Sequence, residues 1–207
     1  NAHSNDTAPI PLIVSPTVNA LLALPLNRMF LEKEPQGNLE FRTVNGDEVG
    51  SMIIKNEGNI GVVHFGQPQL ESYRAVASGD HIEIEVLLRD QLCLLVREDH
   101  PLASRERIAV QDVTHCHFAI LPHFDASGDS LATIKSFDNG NLYTIFPNVT
   151  LIQEAVRDQN MVAILSRCAC AKSQSHYPLR AIQLKDTPRE NDIFLCLIHR
   201  DERHLHR

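Results

Sequence analysis

Residues 10–30 read IPLIVSPTVNALLALPLNRMF, and the change of period inside this stretch decides the fold. Ile10, Leu12, Ile13 and Val14 form an apolar run of strand length, and Ser15-Pro16 is a cap residue followed by proline, the usual opening of a helix. Beyond it Val18, Leu21, Leu22, Leu26, Met29 and Phe30 recur every three or four residues to about Glu34, with Pro25 expected to kink the stripe. Outward from there, Leu39, Phe41 and Thr43 alternate as a strand, and Asn45-Gly46-Asp47 reads as a turn. Val49, Met52 and Ile53 make another helical face closed by Gly58, and Ile60 to Phe65 is a third strand. Strand, helix, strand, helix, strand implies a parallel sheet with right-handed crossovers.

Gly66 to Asp80 reads as a polar connection, after which Ile82–Leu88 and Leu92–Val96 are two apolar strands. The second half repeats the alternation. A strand at Phe118–Leu121 precedes a helix from about Ser127 carrying Leu131, Ile134 and Phe137. A strand near Tyr143–Phe146 leads to a helix from Asn148 with Ile152, Ala155 and Val156, and then to a strand at Val162–Leu165. The last element, Ile193–Ile198, is expected to return to the first half. The expected fold is thus α/β with two lobes of similar size: residues 10–81 plus 182–207 as lobe I, 82–181 as lobe II, and 1–9 as a disordered linker or cloning remnant.

Composition narrows the function. In 207 residues, 43% hydrophobic and 22% charged, there is core enough for a globular chain. Nineteen Lys and Arg against 26 Asp and Glu give a net charge of −7, too acidic for the counterion release that drives nonspecific nucleic-acid binding. No apolar run approaches the roughly 20 residues of a membrane span. Five cysteines, an odd number with Cys93 and Cys196 inside apolar runs, favour reduced thiols and a cytoplasmic compartment. The chain opens on Asn1 and a polar stretch to Pro9, and is expected to be an excised fragment whose upstream sequence is missing.

One segment carries a resemblance: Leu92-Cys93-Leu94-Leu95-Val96-Arg97-Glu98-Asp99-His100-Pro101-Leu102-Ala103. It resembles the strand ending in Asp-His-Pro-Leu-Ala of the effector-binding domain of LysR-type transcriptional regulators, a two-lobed relative of periplasmic solute-binding proteins. Ser15-Pro16-Thr17, Asn59-Ile60-Gly61-Val62-Val63 and Val156 to Arg167 support the resemblance, which covers Ile10 to about Arg200. Departures are Gln159-Asn160-Met161 in place of the family's Gly-x-Gly turn, Ser166 in place of its proline, and Asn59 in place of its aspartate. Asparagine tolerates the left-handed conformation, so a turn at Asn160 is feasible. The resemblance implies two Rossmann-like lobes with a cleft between them, of the periplasmic-binding-protein type II kind. It also implies a DNA-binding helix-turn-helix on a preceding domain absent here, and side-by-side homodimers or homotetramers built on the first helix, with Leu21, Leu24, Arg28 and Leu31 at the interface.

In such a fold ligands bind at the carboxyl ends of the strands, where helix amino termini point free N–H groups into the crevice. Ser15, Pro16, Thr17 and Asn19, then His64 and Phe65, then Pro122, His123 and Phe124, and finally Asn148 are the residues expected there. Hydroxyls, amides and helix-start N–H groups suit a small organic anion, an aromatic or aliphatic carboxylate. Equally, Ser15 and Asn148 read as plain helix caps and the two phenylalanines as core. Metal and cofactor sites are not expected: His115-Cys116-His117, Cys168-x-Cys170 and His204-x-His206 lack zinc-site spacing. No Gly-x-Ser-x-Gly, phosphate loop or dinucleotide fingerprint points to catalysis. The expected function is effector sensing for a transcriptional regulator, binding a small anion between the lobes and changing the oligomer. The alternative is an exported, monomeric solute-binding protein, and a catalytic relative of the fold ranks third.

Overall fold

The computed structural model describes residues 8–77, 81–122, 142–185 and 192–200. His123, Phe124, the helix expected from Ser127 and the residues of the His204-x-His206 tail lie outside the described residues, as do residues 1–7 of the expected linker. Eleven strands and five α-helices are described. In chain order they are β1 (Ile10–Val14), α1 (Pro16–Lys33), β2 (Leu39–Thr43), α2 (Gly46–Ile54), β3 (Ile60–Gly66), α3 (Gln67–Ala77), β4 (Ile82–Asp90) and β5 (Leu92–Arg97). The second half holds β6 (Arg107–Ile108), a 3-10 turn at Val110–Val113, β7 (His117–Ile120), β8 (Leu142–Ile145), α4 (Val149–Gln159), β9 (Ala163–Ser166), α5 (Arg167–Gln174), β10 (Leu179–Leu184) and β11 (Ile193–Arg200).

The first sheet has the order β2-β1-β3-β11-β4. β1 pairs in parallel with β2 and β3, while β11 runs antiparallel to both β3 and β4. In the second half β9 and β10 flank β5 antiparallel, and β7 and β8 pair in parallel. A parallel bridge from Phe118 to Val162 joins β7 to the chain entering β9. Read from β8, the order β8-β7-β9-β5-β10 has the same parallel and antiparallel pattern as the first sheet. Each lobe is therefore completed by a strand from across the junction, β5 in one case and β11 in the other. No sequence repeat announces this symmetry, because each sheet requires only apolar alternation and leaves residue identity free.

Several expectations shift. The supposed turn Asn45-Gly46-Asp47 is the start of α2, where the Glu48 carboxylate accepts a hydrogen bond from the Asn45 N–H at 3.0 Å. Gly58 does not close that helix: Asn56 takes the left-handed conformation at φ 63, and Gly58 is small because a Cβ there would overlap Ile13 Cδ1. The polar connection after Gly66 is largely α3, whose Leu70 and Ala77 are buried. The chain leaves the first sheet after Asp90 and the second after Leu184. β4 therefore hydrogen-bonds within the first sheet, where a lobe boundary at Ile82 was expected, and β10 lies wholly within the second, where lobe I was expected to resume at 182. Asn160 does adopt the left-handed conformation, at φ 55.

The central strands of each sheet are buried on both faces, while the edge strand β4 is largely exposed. Leu92, Leu94 and Val96 point into one core of the second sheet and Cys93 and Leu95 into the other, the burial expected of a continuous apolar strand. In the first sheet Ile13, Val63 and Phe65 pack under α2 and α3, and Leu12, Val14 and Val62 pack with Val18 of α1. α1 belongs to both lobes. Its Leu22 and Leu26 rest on the first sheet, whereas Ala20 and Leu21 pack against the second lobe's core. Leu21 is partly buried against the other lobe of its own chain. Leu24, Arg28 and Leu31 remain exposed.

Candidate effector cleft

A cleft of about 130 Å³ lies where the ends of the two sheets meet. From the first lobe it is lined by Ser15, Pro16 and Thr17 at the start of α1, Asn45 to Asp47 at the start of α2, His64 and Gly66 at the end of β3, and Gln69 in the first turn of α3. The second lobe contributes Ala119 to Pro122 after β7, Ile164 to Ser166 on β9, and Ile152. Leu92 and Ile193, the first residues of the two exchanged strands, close it at the junction. Its volume is below the ~300–1,000 Å³ of sites for drug-sized ligands, which suits a compact molecule.

The starts of four helices face this space, and they are not equivalent. At α5, Ser166 Oγ accepts from Ala169 N–H at 3.2 Å and the buried Asp90 carboxylate accepts from Cys168 N–H at 3.3 Å, so that terminus already holds a negative charge. α2 carries Asp47 and Glu48 in its first turn, and α3 enters through Gln67 and Pro68 directly from β3. α1 has no side-chain cap and no acidic residue in its first turn. Its N-cap residue, Ser15, is 7% exposed, yet its Oγ has no hydrogen-bond partner. A buried hydroxyl without a partner costs about 1–3 kcal/mol, and here it sits on a positive helix end that opens to the cleft. Among the described lining residues there is no Lys or Arg.

His64 is the second polar group without a partner. Its Nε2 is buried and unbonded, 3.8 Å from Asp90 Oδ2. Burial pushes the imidazole pKa down to about 4, and the attraction of Asp90 offsets only part of that. His64 is therefore neutral at pH 7, a hydrogen-bonding group in the cleft and not a cation. Asp90 ties the cleft to the junction, since its Oδ1 accepts from the N–H of Gln91, the residue at which the chain changes sheets.

Of the residues expected here, Ser15, Pro16, Thr17, His64 and Pro122 line the cleft. Asn19 does not: it lies one turn into α1 and its N–H donates to Ser15 O. Phe65 is wholly buried on the opposite face of β3, stacked on Tyr73 with ring centroids 4.8 Å apart. Strand alternation dictates this, because adjacent residues cannot face the same side. Asn148 caps α4, accepting from Leu151 N–H at 3.0 Å, and its side chain is spent there. The reading missed Asn45, Asp47, Gln69 and Ser166. Asn45 followed three residues later by Glu48 is a capping-box pattern, and Leu70, Tyr73 and Ala77 carry a helical spacing that would have revealed α3. His115 and His117 do not share a strand face, since β7 begins at His117, whose Nε2 meets Thr144 Oγ1 at 2.9 Å.

No helix among the described residues is long and apolar enough to cross a membrane. Residues 5–207 match the family described as LysR substrate binding domain. The HTH-type transcriptional regulator CysL of Bacillus subtilis (strain 168) is 22% identical over 181 residues, covering 86% of this chain and 56% of that protein. The chain thus spans little more than half of its relative. Among solved structures, the regulatory domain of the LysR family regulator MetR from N. meningitidis aligns with a TM-score of 0.69 at 14% identity, over 95% of this chain and 86% of the other. The regulatory domain of Synechocystis PCC6803 CcmR in complex with 2-PG aligns at 0.66 and 17% identity, over 95% and 89%. The effector binding domain of QuiR in complex with shikimate aligns at 0.60 and 17%, also over 95% and 89%. At these identities the structures speak to the fold, which is the two-lobed fold of LysR regulatory domains, and the match over nearly the whole chain settles kinship: the protein belongs to the LysR substrate binding domain family.

Proposed function

We propose that the chain is the sensing part of a cytoplasmic LysR-type transcriptional regulator, and that it binds a compact organic carboxylate between lobe I (residues 8–90 and 192–200) and lobe II (92–185). The observation that carries this reading is the uncapped start of α1, where buried Ser15 Oγ has no partner on a helix end facing the cleft. A carboxylate supplies the missing acceptor without needing a cationic side chain. His64, neutral at the end of β3, hydrogen-bonds the remainder of the ligand, and Ile164, Leu165 and Ile193 supply apolar wall. The neighbours' ligands, shikimate in QuiR and 2-PG in CcmR, and the helix-turn-helix regulator among its relatives support the same reading. DNA contact belongs to a further domain of a longer protein.

Because α1 contacts both lobes, closure on the ligand moves this helix, and Leu24 and Leu31, 78% and 42% exposed on it, together with Arg28, form the homo-oligomer contact through which the signal passes. Binding without turnover is the expected activity. Titration calorimetry with a panel of compact carboxylic acids, shikimate included, tests the assignment. An acid that binds the wild type should bind Ser15→Ala at least tenfold more weakly, with the unfolding temperature of the free protein lowered little or not at all. Equal affinities would refute the placement of the ligand at α1.

A further inference from the structure

On the outer face of the first sheet, away from the cleft, Glu83 and Glu85 of β4 and His199 of β11 bring three ligand atoms within 4.8 Å of one another. We infer that this trio is a divalent transition-metal site, best suited to Zn²⁺, which fastens the edge strand β4 to β11.

The sheet register creates the cluster. His199 lies opposite Glu83 across the antiparallel pair, and Glu85, two residues along β4, returns to the same face. Ile82, Ile84 and Ile198 point the other way, into the core beneath α2 and α3. His199 Nε2 is 3.2 Å from Glu85 Oε1 and 3.7 Å from Glu83 Oε2. Donors around a tetrahedral zinc at ~2.0–2.2 Å stand about 3.3–3.6 Å apart, so one imidazole and two carboxylates already have the spacing of a coordination shell. Small rotamer changes close the remaining edge, and solvent takes the fourth position.

An observation outside the trio points the same way. His199 Nδ1 is 3.1 Å from the Arg200 carbonyl oxygen, which can only accept, so Nδ1 carries a proton and the ring is oriented with Nε2 toward the carboxylates. This is the second-shell arrangement of metal-bound histidines, in which the ring nitrogen not on the metal donates to a backbone carbonyl. Nε2 then faces only acceptor oxygens, and a positive charge at that point, the ring's own second proton or a metal ion that displaces it, satisfies both carboxylates. Among the described residues neither Glu83 nor Glu85 has a Lys or Arg ion-pair partner. The Arg200 guanidinium is turned to the other face, donating to the carbonyls of Ile53 and Ile54.

β11 starts in the cleft at Ile193 and reaches His199 six residues later, about 20 Å away at the rise of an antiparallel strand. The site is therefore distinct from the effector site. The imidazole distinguishes it from a purely acidic surface, which would prefer Ca²⁺ or Mg²⁺.

Calorimetric titration of the domain with Zn²⁺ is the test, using His199→Gln and the pair Glu83→Gln/Glu85→Gln. The two glutamates are exposed and His199 is partly buried, and circular dichroism checks that the variants remain folded. The expected result is that each variant loses at least tenfold in zinc affinity, and that zinc raises the unfolding temperature of the wild type but not of His199→Gln. Co²⁺ substitution should give a spectrum without thiolate charge-transfer bands, which separates this site from the cysteines. No zinc binding by the wild type at 0.1 mM-order concentrations (~0.1 mM corresponds to only weak association), unchanged affinity in either variant, or thiolate bands with Co²⁺ would each overturn the inference.

Discussion

Lowering the pH should unfold this domain earlier than its carboxylates alone require, and His64 is the reason. The native imidazole is buried near the floor of the cleft with a pKa of about 4, whereas the unfolded chain presents it near 6.5. A native pKa below the unfolded one means that the unfolded state binds the extra proton first. The stability is complete above about pH 6.5 and is lost as the pH falls toward 4. The full depression is worth about 3 kcal/mol, and the part lost between pH 7 and pH 4.5 is about 2 kcal/mol. Asp90, with Oδ2 3.8 Å from Nε2, is the charged group facing this ring, and its attraction is already included in the native value. Urea unfolding of the wild type and of His64→Gln at half-unit pH intervals isolates the effect, because the other titrating groups cancel in the difference. The wild type should lose about 2 kcal/mol more than His64→Gln across that range. Parallel curves, agreeing within about 0.5 kcal/mol, would refute the reasoning and place a charged or solvated His64 in the native state.

Two further outcomes follow from the backbone. Pro25 has no N–H to offer the carbonyl of Leu21 four residues earlier, and Lys172 Nζ, from α5 of the other lobe, donates to that carbonyl at 3.3 Å and also to Ala20 O. Lys172→Met should cost about 1–2 kcal/mol but distinctly less in a Pro25→Ala background, where the helix satisfies Leu21 itself; strictly additive unfolding energies would rule out the coupling. At the end of α4, Asn160→Ala should destabilise by about 1 kcal/mol because of its left-handed backbone, while Asn160→Gly should leave the urea midpoint unchanged or higher. Equal losses in both variants would show that the Asn side chain, and not the backbone conformation, matters there.

The sequence makes legible what depends on apolar period. β1, α1, β3, β5 and α4 appear where alternation and three-to-four spacing place them, and β11 is a strand where its apolar run places one, its return to the first sheet being expected only from the usual connection of two-lobed proteins. Polar helices are harder to read: α3 buries Leu70 and Ala77 on a narrow face whose three-and-four spacing, with Tyr73, is set among Gln67, Gln69, Glu71 and Arg74. Lobe boundaries escape for a different reason. β4 and β5 are both apolar strands separated by a single residue, Gln91, and nothing in their composition says that one ends a sheet and the next begins another.

Residue type alone could not separate the cleft residues from their neighbours, because serine and asparagine at helix starts look alike in sequence. Asn148 and Ser15 both precede a helix, but the structure spends the first on Leu151 N–H and leaves the second with no acceptor or donor. What distinguishes a cap from a binding group is whether its hydrogen bond is already made. That depends on what surrounds the helix end. Proline at the next position contributes: Pro16 removes one N–H from the first turn, and the α1 start faces the other lobe's strand ends across the cleft. Asp90 shows the opposite solution at α5, where the chain provides its own anion. On the reading proposed for this cleft, a helix end filled internally at α5 and one left open at α1 would direct a carboxylate to the open one, without a single cationic side chain among the described lining residues.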